Sequence, residues 1–461
     1  MALDRILATK RREVAVREDL RPLPDLERQV VPSDRDFVAA LRGPAPAFIL
    51  EVKRASPSEG SIRAGDDVEQ VLEAYRPFAS AISVLTDETY FRGSFDTLAR
   101  VRATVTQPVL CKDFLLGPYQ VVEARSHGAD AVLLMLSVLD DATYRRTADA
   151  ARRLRMGVLT EAHTAEEVGR ALALGAPVIG INNRDLGTLA VDLEVTKRLA
   201  PLVPPDRLVV SESGLGDYES VRAMAPAVDG FLVGTALMRS PDIGHATRSL
   251  IFGPTKVCGL TRPEDAEAAH RLGATHGGLI FVAASPRAVT ERAARAVRSA
   301  APLRWVGVFV DAPPEDAAAV ATRLALGAVQ LHGDETADYV RDIRRRLPSS
   351  CEVWKAVQVR GPIPRPEDFG VDRILLDAPS DEQRGGTGRP FDWTRLPTGL
   401  DRSRYVLSGG LSPANAEAAG ALGIQFLDVN SGVEAAPGIK DREKLDAFFT
   451  IRRGRRRART Q

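Results

Sequence analysis

From about residue 47 onward the chain alternates short runs of β-branched and apolar residues with longer stretches rich in Ala, Arg and Glu. The apolar runs fall near 47–52, 81–85, 108–111, 131–136, 156–160, 178–182, 207–211 and 230–234. The intervening stretches repeat with helical period. Strands alternating with helices at this spacing predict βαβ units around a parallel sheet. Eight such units in succession suit a closed (β/α)8 barrel. After Phe252-Gly253-Pro254 the rhythm restarts, with runs near 255–259, 276–282, 304–310, 327–332, 352–358, 373–377, 404–408 and 424–429. The fold class is therefore α/β, with two tandem (β/α)8 TIM barrels, residues 1–253 and 254–461. A turn dipeptide followed at once by a strand marks the boundary. Residues before 45 read as a helical extension broken by Pro22, Pro24 and Pro32.

A recurring unit supports the repeat. Gly128, Gly175, Gly273, Gly327 and Gly423 each follow a helical stretch and precede a strand. Glycine there can adopt the left-handed conformation that ends a helix. The closing run Arg452-Arg453-Gly454-Arg455-Arg456-Arg457 reads as a frayed basic tail from about residue 452.

Composition narrows the function. Lys plus Arg is 62 against 61 for Asp plus Glu, which lacks the basic excess of a nucleic-acid surface. The three cysteines, Cys111, Cys258 and Cys351, form no pairwise motif, as expected in a reducing compartment. No apolar run reaches membrane-span length, and the N-terminus lacks an apolar signal core. The expected setting is cytoplasmic, with neither nucleic acid nor membrane as partner. Only eight of the basic residues are lysine. A lysine at a strand end is thus informative, because an ammonium can transfer a proton where a guanidinium cannot.

Barrel enzymes place their chemistry at the C-terminal ends of the strands. In the first barrel those ends carry Glu51 and Lys53, then Lys112-Asp113, Glu161, Asn182-Asn183-Arg184, Ser211-Glu212-Ser213-Gly214 and Gly234-Thr235. Glu51 and Lys53 share one face of a strand. Several charged ends converging on one rim are costly unless paired and used. Ser213, Gly214, Gly234 and Thr235 fit the usual barrel phosphate site, with Ser56 adding a hydroxyl. In the second barrel the ends carry Cys258, Ser285-Pro286-Arg287, His332, Asp377, Ser408-Gly409-Gly410 and Asn430-Ser431-Gly432. By residue type alone a strand cysteine is more often core than catalyst, and an aspartate after an apolar run can be a helix cap.

Glu51-Val52-Lys53-Arg54-Ala55-Ser56-Pro57-Ser58, Cys111-Lys112-Asp113-Phe114, Leu159-Thr160-Glu161-Ala162-His163, Gly180-Ile181-Asn182-Asn183-Arg184-Asp185-Leu186 and Ser211-Glu212-Ser213-Gly214-Leu215 resemble the signatures of indole-3-glycerol-phosphate synthase, in that family's order. The resemblance implies closure of the indole ring of a carboxyphenylamino-deoxyribulose phosphate with loss of CO2 and water. It assigns Lys112 as the ammonium that protonates a carbonyl, and Lys53 and Glu161 as acid and base of the dehydration. Glu51 orients Lys53, and Asn182 and Glu212 hold substrate hydroxyls and the intermediate. Arg184 belongs with the substrate-binding set. A lysine competent at neutral pH is expected to have its pKa lowered. Cys111 alternates to the outer face and reads as core.

Lys256-Val257-Cys258-Gly259-Leu260-Thr261, Ser285-Pro286-Arg287, Gln330-Leu331-His332-Gly333, Gly385-Gly386-Thr387-Gly388, Ser408-Gly409-Gly410-Leu411 and Ser431-Gly432-Val433-Glu434 resemble phosphoribosylanthranilate isomerase. The resemblance implies an Amadori rearrangement, with Asp377 as acid and Cys258 as base. Since Asp titrates at about 3.9 and Cys at about 8.5 when unperturbed, the site is expected to raise the first and favour thiolate at the second. Arg287 is suited to fork the anthranilate carboxylate. His332, Gly386, Ser408, Gly409, Gly410, Ser431 and Gly432 complete the substrate and phosphate set. Asn430 stands where that family more often has Ser.

The product of the second reaction is the substrate of the first, so the expectation is a monomeric bifunctional enzyme of tryptophan biosynthesis acting on phosphorylated small molecules. It requires no metal and no organic cofactor. Three other readings stay open. The second barrel could be a degenerate scaffold. A barrel could take a histidine-pathway aminoaldose, against which Cys258 argues because that family pairs two aspartates. The Arg tail could bind nucleic acid.

Overall fold

The computed structural model describes residues 2–56, 59–63, 65, 67–185, 187–379, 390–397 and 399–458. The predicted strands form two closed eight-stranded barrels. In the first, β1 (Ala47–Val52), β2 (Ala81–Leu85), β3 (Val109–Lys112), β4 (Ala131–Met135), β5 (Gly157–Ala162), β6 (Val178–Asn182), β7 (Leu208–Glu212) and β8 (Gly230–Val233) pair in order, and β1 closes on β8. All pairings are parallel, and the closing register sets Ala47 opposite Gly230 and Leu50 opposite Val233. In the second, β9 (Thr255–Val257), β10 (His276–Ile280), β11 (Arg304–Phe309), β12 (Ala328–Leu331), β13 (Glu352–Gln358), β14 (Arg373–Asp377), β15 (Tyr405–Leu407) and β16 (Phe426–Val429) do the same, β9 closing on β16.

Strands buried on both faces read as continuous apolar runs. The first barrel is filled by inward residues such as Ile49, Leu110, Leu133, Leu159 and Leu232. The second uses larger rings: Trp354 and Phe426 meet edge to face at 5.3 Å, and His276 lies 4.7 Å from Phe426.

The chain divides into two compact units, one running to Thr247 and resumed from Gly454, the other Arg248–Arg453. The break falls inside the helix Ile243–Phe252 rather than at the Gly253-Pro254 turn. The frayed basic tail expected from about residue 452 needs correction. The helix Arg442–Arg453 holds that segment through Arg453, and Arg452 is buried, donating to the Gln425 carbonyl at 2.7 Å. Residues beyond it rejoin the first unit, where the Arg457 backbone donates to Val228 O at 2.9 Å and Arg456 lies 3.6 Å from Asp229. The guanidinium pairing that anchors Arg456 is with a buried carboxylate, which composition alone does not reveal.

Of the αβ-loop glycines, Gly128, Gly175, Gly273 and Gly423 do take positive φ. Gly273 combines φ 130° with a site where a Cβ would press on the Phe252 ring. At the Gly327 loop the left-handed residue is Ala325, at φ 43°.

The N-terminal extension serves both ends of the first barrel. Helix α1 (Ala2–Leu20) brings Leu3 and Ile6 to the wall of the cavity at the C-terminal mouth. The turn of helix Phe37–Ala40, capped by Asp36 on the Ala39 N–H, sets Phe37 and Leu41 against the strand beginnings. Phe37 fits against Gly157 so closely that a Cβ there would come within 2.6 Å of it. Phe37→Ala removes this plug and is expected to cost the first barrel about 3–5 kcal/mol, read as a lower midpoint of its denaturant unfolding transition.

Candidate active sites

The first barrel opens into a cavity of about 510 Å³ ringed by the strand ends. Glu51, Lys53, Ser56, Lys112, Glu161, Asn182, Arg184, Glu212, Ser213, Gly214, Gly234 and Thr235, all proposed from sequence, line it together. Lys112 ends β3 and reaches Glu161 at 3.4 Å and Glu212 at 3.6 Å. Asn182 donates to the other Glu161 oxygen at 3.1 Å, and its own carbonyl is gripped by His163 Nδ1 at 2.6 Å. Lys53 lies 3.6 Å from Glu51 and over the ring of Phe91 at 5.7 Å. Two glycines make room for these carboxylates. A Cβ on Gly180 would overlap Glu212, and one on Gly234 would sit 2.7 Å from Glu51 Oε1. Ser213 and Gly214 both take positive φ, turning the chain sharply at the cavity wall.

The electrostatics differ from expectation. Burial works to depress the Lys112 pKa, but Glu161, Glu212 and Glu51 outweigh it and hold the ammonium charged well above its ordinary range. The expected lowering of this lysine is not found. The shift falls instead on Glu212, which burial, opposed by Lys112 and reinforced by Glu161 and Glu51, pushes up to about 8. Burial thus favours the neutral form at Glu212, beside the charged Lys112.

Sequence reasoning missed the group behind β3. Lys10 of α1 is buried, with its ammonium 2.8 Å from Asp87, 2.9 Å from Asp113 and 3.1 Å from Glu13. Asp113 follows Lys112 and also accepts from Thr86 Oγ1 at 2.7 Å. Helix α1 is thereby fixed to the ends of β2 and β3. The signal available was a lysine in a chain that otherwise prefers arginine. Cys111 is buried, bonded to Thr86 and pushed up by burial, as suits core.

In the second barrel Cys258 follows β9, 5% exposed, and Asp377 ends β14. Asp377 accepts the Ala378 N–H at 2.8 Å on Oδ1 and faces His332 Nε2 at 3.2 Å with Oδ2. Gly409, proposed for phosphate, makes space for this acid. It has φ 79°, and a Cβ there would meet Ala378 N and lie 2.8 Å from Asp377 Oδ1. Gly410 follows at φ 68°. Ser408, also proposed for substrate, turns its hydroxyl to Asp428 at 3.2 Å.

Arg287 is already held by Glu434, with Nε to Oε1 at 3.0 Å and Nη2 to Oε2 at 2.8 Å. That uses one edge of the guanidinium and leaves the Nη1–Nη2 edge to fork a second carboxylate. Glu434 in turn pairs with buried Lys440 at 2.8 Å, and Lys440 donates to Asn430 Oδ1 at 3.0 Å. Asn430 therefore has an acceptor role of its own, packed beside Gly259. Ser431 and Gly432 form a tight 3-10 turn, with no space for a Cβ on Gly432 next to the Leu411 carbonyl. Gly386 lies outside the described residues.

The thiolate expectation is also reversed. Burial pushes the Cys258 thiol up, against the downward pull of Lys256 and Lys440, while Asp428 adds to the rise. Among the described residues, no three His, Cys, Asp or Glu side chains converge so as to hold a metal ion, and no helix is long and apolar enough to cross a membrane.

Comparison with known proteins identifies relatives of both barrels. Residues 3–250 match the family model for indole-3-glycerol phosphate synthase. Residues 255–451 match that for N-(5'-phosphoribosyl)anthranilate (PRA) isomerase. The tryptophan biosynthesis protein TrpCF of Yersinia pestis is 50% identical over 448 residues, covering 97% of this chain and 93% of its own. The TrpCF protein of Vibrio cholerae is 49% identical over 447 residues, covering 97% and 95%. That of Salmonella typhi is 48% identical over 447 residues, covering 97% and 98%.

The raised Glu212 pKa has a consequence for stability. The folded state holds the proton more tightly than the unfolded chain between pH 4.5 and about 8. Its stabilisation is complete below that window and is lost as pH rises through it. Glu212→Gln keeps the neutral form at every pH. Its melting temperature is expected to match wild type near pH 4.5 and to exceed it by a growing margin toward pH 9.

Proposed function

The chain belongs to the TrpCF family of tryptophan-biosynthesis proteins, which join an indole-3-glycerol-phosphate synthase to a phosphoribosylanthranilate isomerase, and from this premise we propose how its residues divide the two reactions. Both activities follow from family membership. The second isomerises N-(5-phosphoribosyl)anthranilate to 1-(2-carboxyphenylamino)-1-deoxyribulose 5-phosphate. The first closes that product to indole-3-glycerol phosphate with loss of CO2 and water. We assign the synthase to the barrel before Gly253 and the isomerase to the barrel after it.

In the synthase barrel, Lys112 is the general acid. The surrounding glutamates hold it as an ammonium, which is the state needed to give a proton to the substrate carbonyl as the aromatic carbon attacks. Decarboxylation restores the ring. Lys53 then protonates the departing hydroxyl, and Glu161 accepts the ring proton. Glu51 orients Lys53, while Asn182 and Glu212 hold hydroxyls of substrate and intermediate. The wall formed by Ser56, Ser213, Gly214, Gly234 and Thr235 takes the phosphate, and Arg184 adds charge at its edge. The observation that carries this reading is the single ammonium of Lys112 set between Glu161 and Glu212 at the cavity floor.

In the isomerase barrel, Asp377 protonates the furanose ring oxygen, the C1–O bond opens, and Cys258 takes the proton from C2. The enamine that results tautomerises to the ketone. Arg287 receives the anthranilate carboxylate on its free edge, and the turns at Gly409-Gly410 and Ser431-Gly432, with Gly386, serve the phosphate. The protein is proposed to act as a cytoplasmic monomer.

The test uses both substrates with wild type, Cys258→Ala and Lys112→Ala. Cys258→Ala is expected to form indole-3-glycerol phosphate from the carboxyphenylamino-deoxyribulose phosphate and not from phosphoribosylanthranilate. Lys112→Ala is expected to convert phosphoribosylanthranilate and stop there, with synthase turnover reduced at least about a hundredfold. Normal synthase turnover by Lys112→Ala would remove it from the acid role.

A further inference from the structure

A chain of hydrogen bonds crosses the second barrel from the base side to the acid side. Lys256 of β9 is fully buried and donates to Asp428 Oδ2 at 2.9 Å and to Gln330 Oε1 at 2.8 Å. Gln330 of β12, 1% exposed, places Nε2 at 2.9 Å from His332 Nδ1. His332 Nε2 lies 3.2 Å from Asp377 Oδ2. The strand period explains the alignment. Lys256 and Cys258 share a face of one strand, and Gln330 and His332 share a face of another. The same lysine stem and the Cys258 sulfur flank Gly278, where a Cβ would come within 2.8 Å of both.

The direction of this chain is fixed at its start. An ammonium has donors only. Gln330 must therefore turn its oxygen to Lys256 and its NH2 to His332. The His332 Nδ1 then has to be the acceptor, so the imidazole is neutral and carries its proton on Nε2, facing Asp377. An imidazolium in that position would hold Asp377 as a carboxylate through an ion pair and oppose its work as an acid.

We propose that Lys256 and Gln330 are positioning residues for the isomerase acid: they lock His332 in its neutral Nε2–H form, so that Asp377 is oriented without being held as an anion. This rests on Asp377 being the acid, as assigned above. The other charged groups packed around the chain are already committed. Asp428 of β16 pairs with Lys256, and Lys355 of β13 pairs with Glu335 at 3.1 Å beside the His332 loop. Asp311, after β11, accepts the Asp334 N–H at the far side of that loop. A change at Gln330 therefore acts on His332 through one contact.

The full chain, with ¹⁵N-labelled histidine and the His332 signals assigned by their loss in His332→Asn, tests this with Gln330→Glu and Gln330→Met. In wild type the His332 signals are expected to show Nδ1 bare and Nε2 protonated from pH 5.5 to 8.5. In Gln330→Glu the new carboxylate accepts from Nδ1 and draws the ring to imidazolium near neutral pH. Isomerase kcat is then expected to fall about tenfold with KM changed less than about twofold, and to recover with rising pH along the His332 titration. Gln330→Met releases the lock, so the ring samples both tautomers without the added charge and loses less activity. Retention of the wild-type ¹⁵N pattern in both variants would overturn the proposal. So would an imidazolium in Gln330→Glu with an unchanged kcat profile. Isomerase turnover by Asp377→Asn at the wild-type rate would instead remove the acid assignment, leaving the tautomer result standing on its own.

Discussion

A charge inside a barrel mouth has lost its water, and it persists only beside a partner. This constraint organises both halves of the protein. Six of the eight lysines obey it. Lys10, Lys256, Lys355 and Lys440 are almost wholly buried, each against at least one carboxylate within 3.1 Å. Lys53 and Lys112 are little more exposed and face Glu51, Glu161 and Glu212. Only Lys197 and Lys444 stand about half exposed in the manner of ordinary surface lysines. Arginine supplies most of the surface cations, and most of the lysines lie in the interior. The physical reason is reach: an ammonium on a flexible stem fits a small polar pocket where the planar guanidinium fork does not.

The same constraint accounts for what the sequence made legible. Each barrel strand reads as an apolar run, because both faces are buried, and each ends where a polar side chain enters the mouth. Glu51, Lys112, Glu161, Asn182, Glu212, Cys258 and Asp377 could be found by asking what ends each strand, and the motifs around them carry the family. What stayed hidden depends on contacts distant in the chain. Lys10 lies about a hundred positions before the Asp113 it pairs with, and locally only its being a lysine rather than an arginine marks it. Gly409 looked like a phosphate turn alone, yet its missing Cβ also admits Asp377. Ser408 looked like a substrate contact, yet it bonds Asp428. The tail looked frayed because its charge is visible in sequence and its buried partner, Asp229, is not.

Protonation states were the least legible property of all, since each depends on burial and on neighbours at once. In the first barrel the reading of a lysine depressed toward neutrality gave way to one held charged by three carboxylates, with the perturbation displaced onto Glu212. This is a coherent arrangement for an acid. Burial favours the proton on Glu212, while Lys112 between Glu161 and Glu212 stays charged. An anionic substrate that brings a carboxylate and a phosphate adds negative charge beside Lys112 and so favours its ammonium form, the state the proposed role requires.

The second barrel presents the opposite problem, and its geometry indicates where the answer lies. Asp377 accepts the Ala378 N–H on Oδ1 and faces His332 Nε2 on Oδ2, while burial favours the thiol at Cys258. The proposed roles need a carboxylic acid and a thiolate, rather than a carboxylate and a thiol. Both forms hold one proton between them, so a change in bulk pH does not by itself select one over the other. The selection has to come from inside the site. Lys256 stands at the point where it acts on both groups. Its charge favours thiolate at Cys258, and through Gln330 and His332 it keeps a neutral donor rather than a cation beside Asp377. A single buried ammonium thus lowers the free energy of the thiolate and spares the acid a cation that would oppose its protonation. The substrate then has less of the rearrangement left to drive, because transferring one proton across the barrel brings acid and base into their working states together.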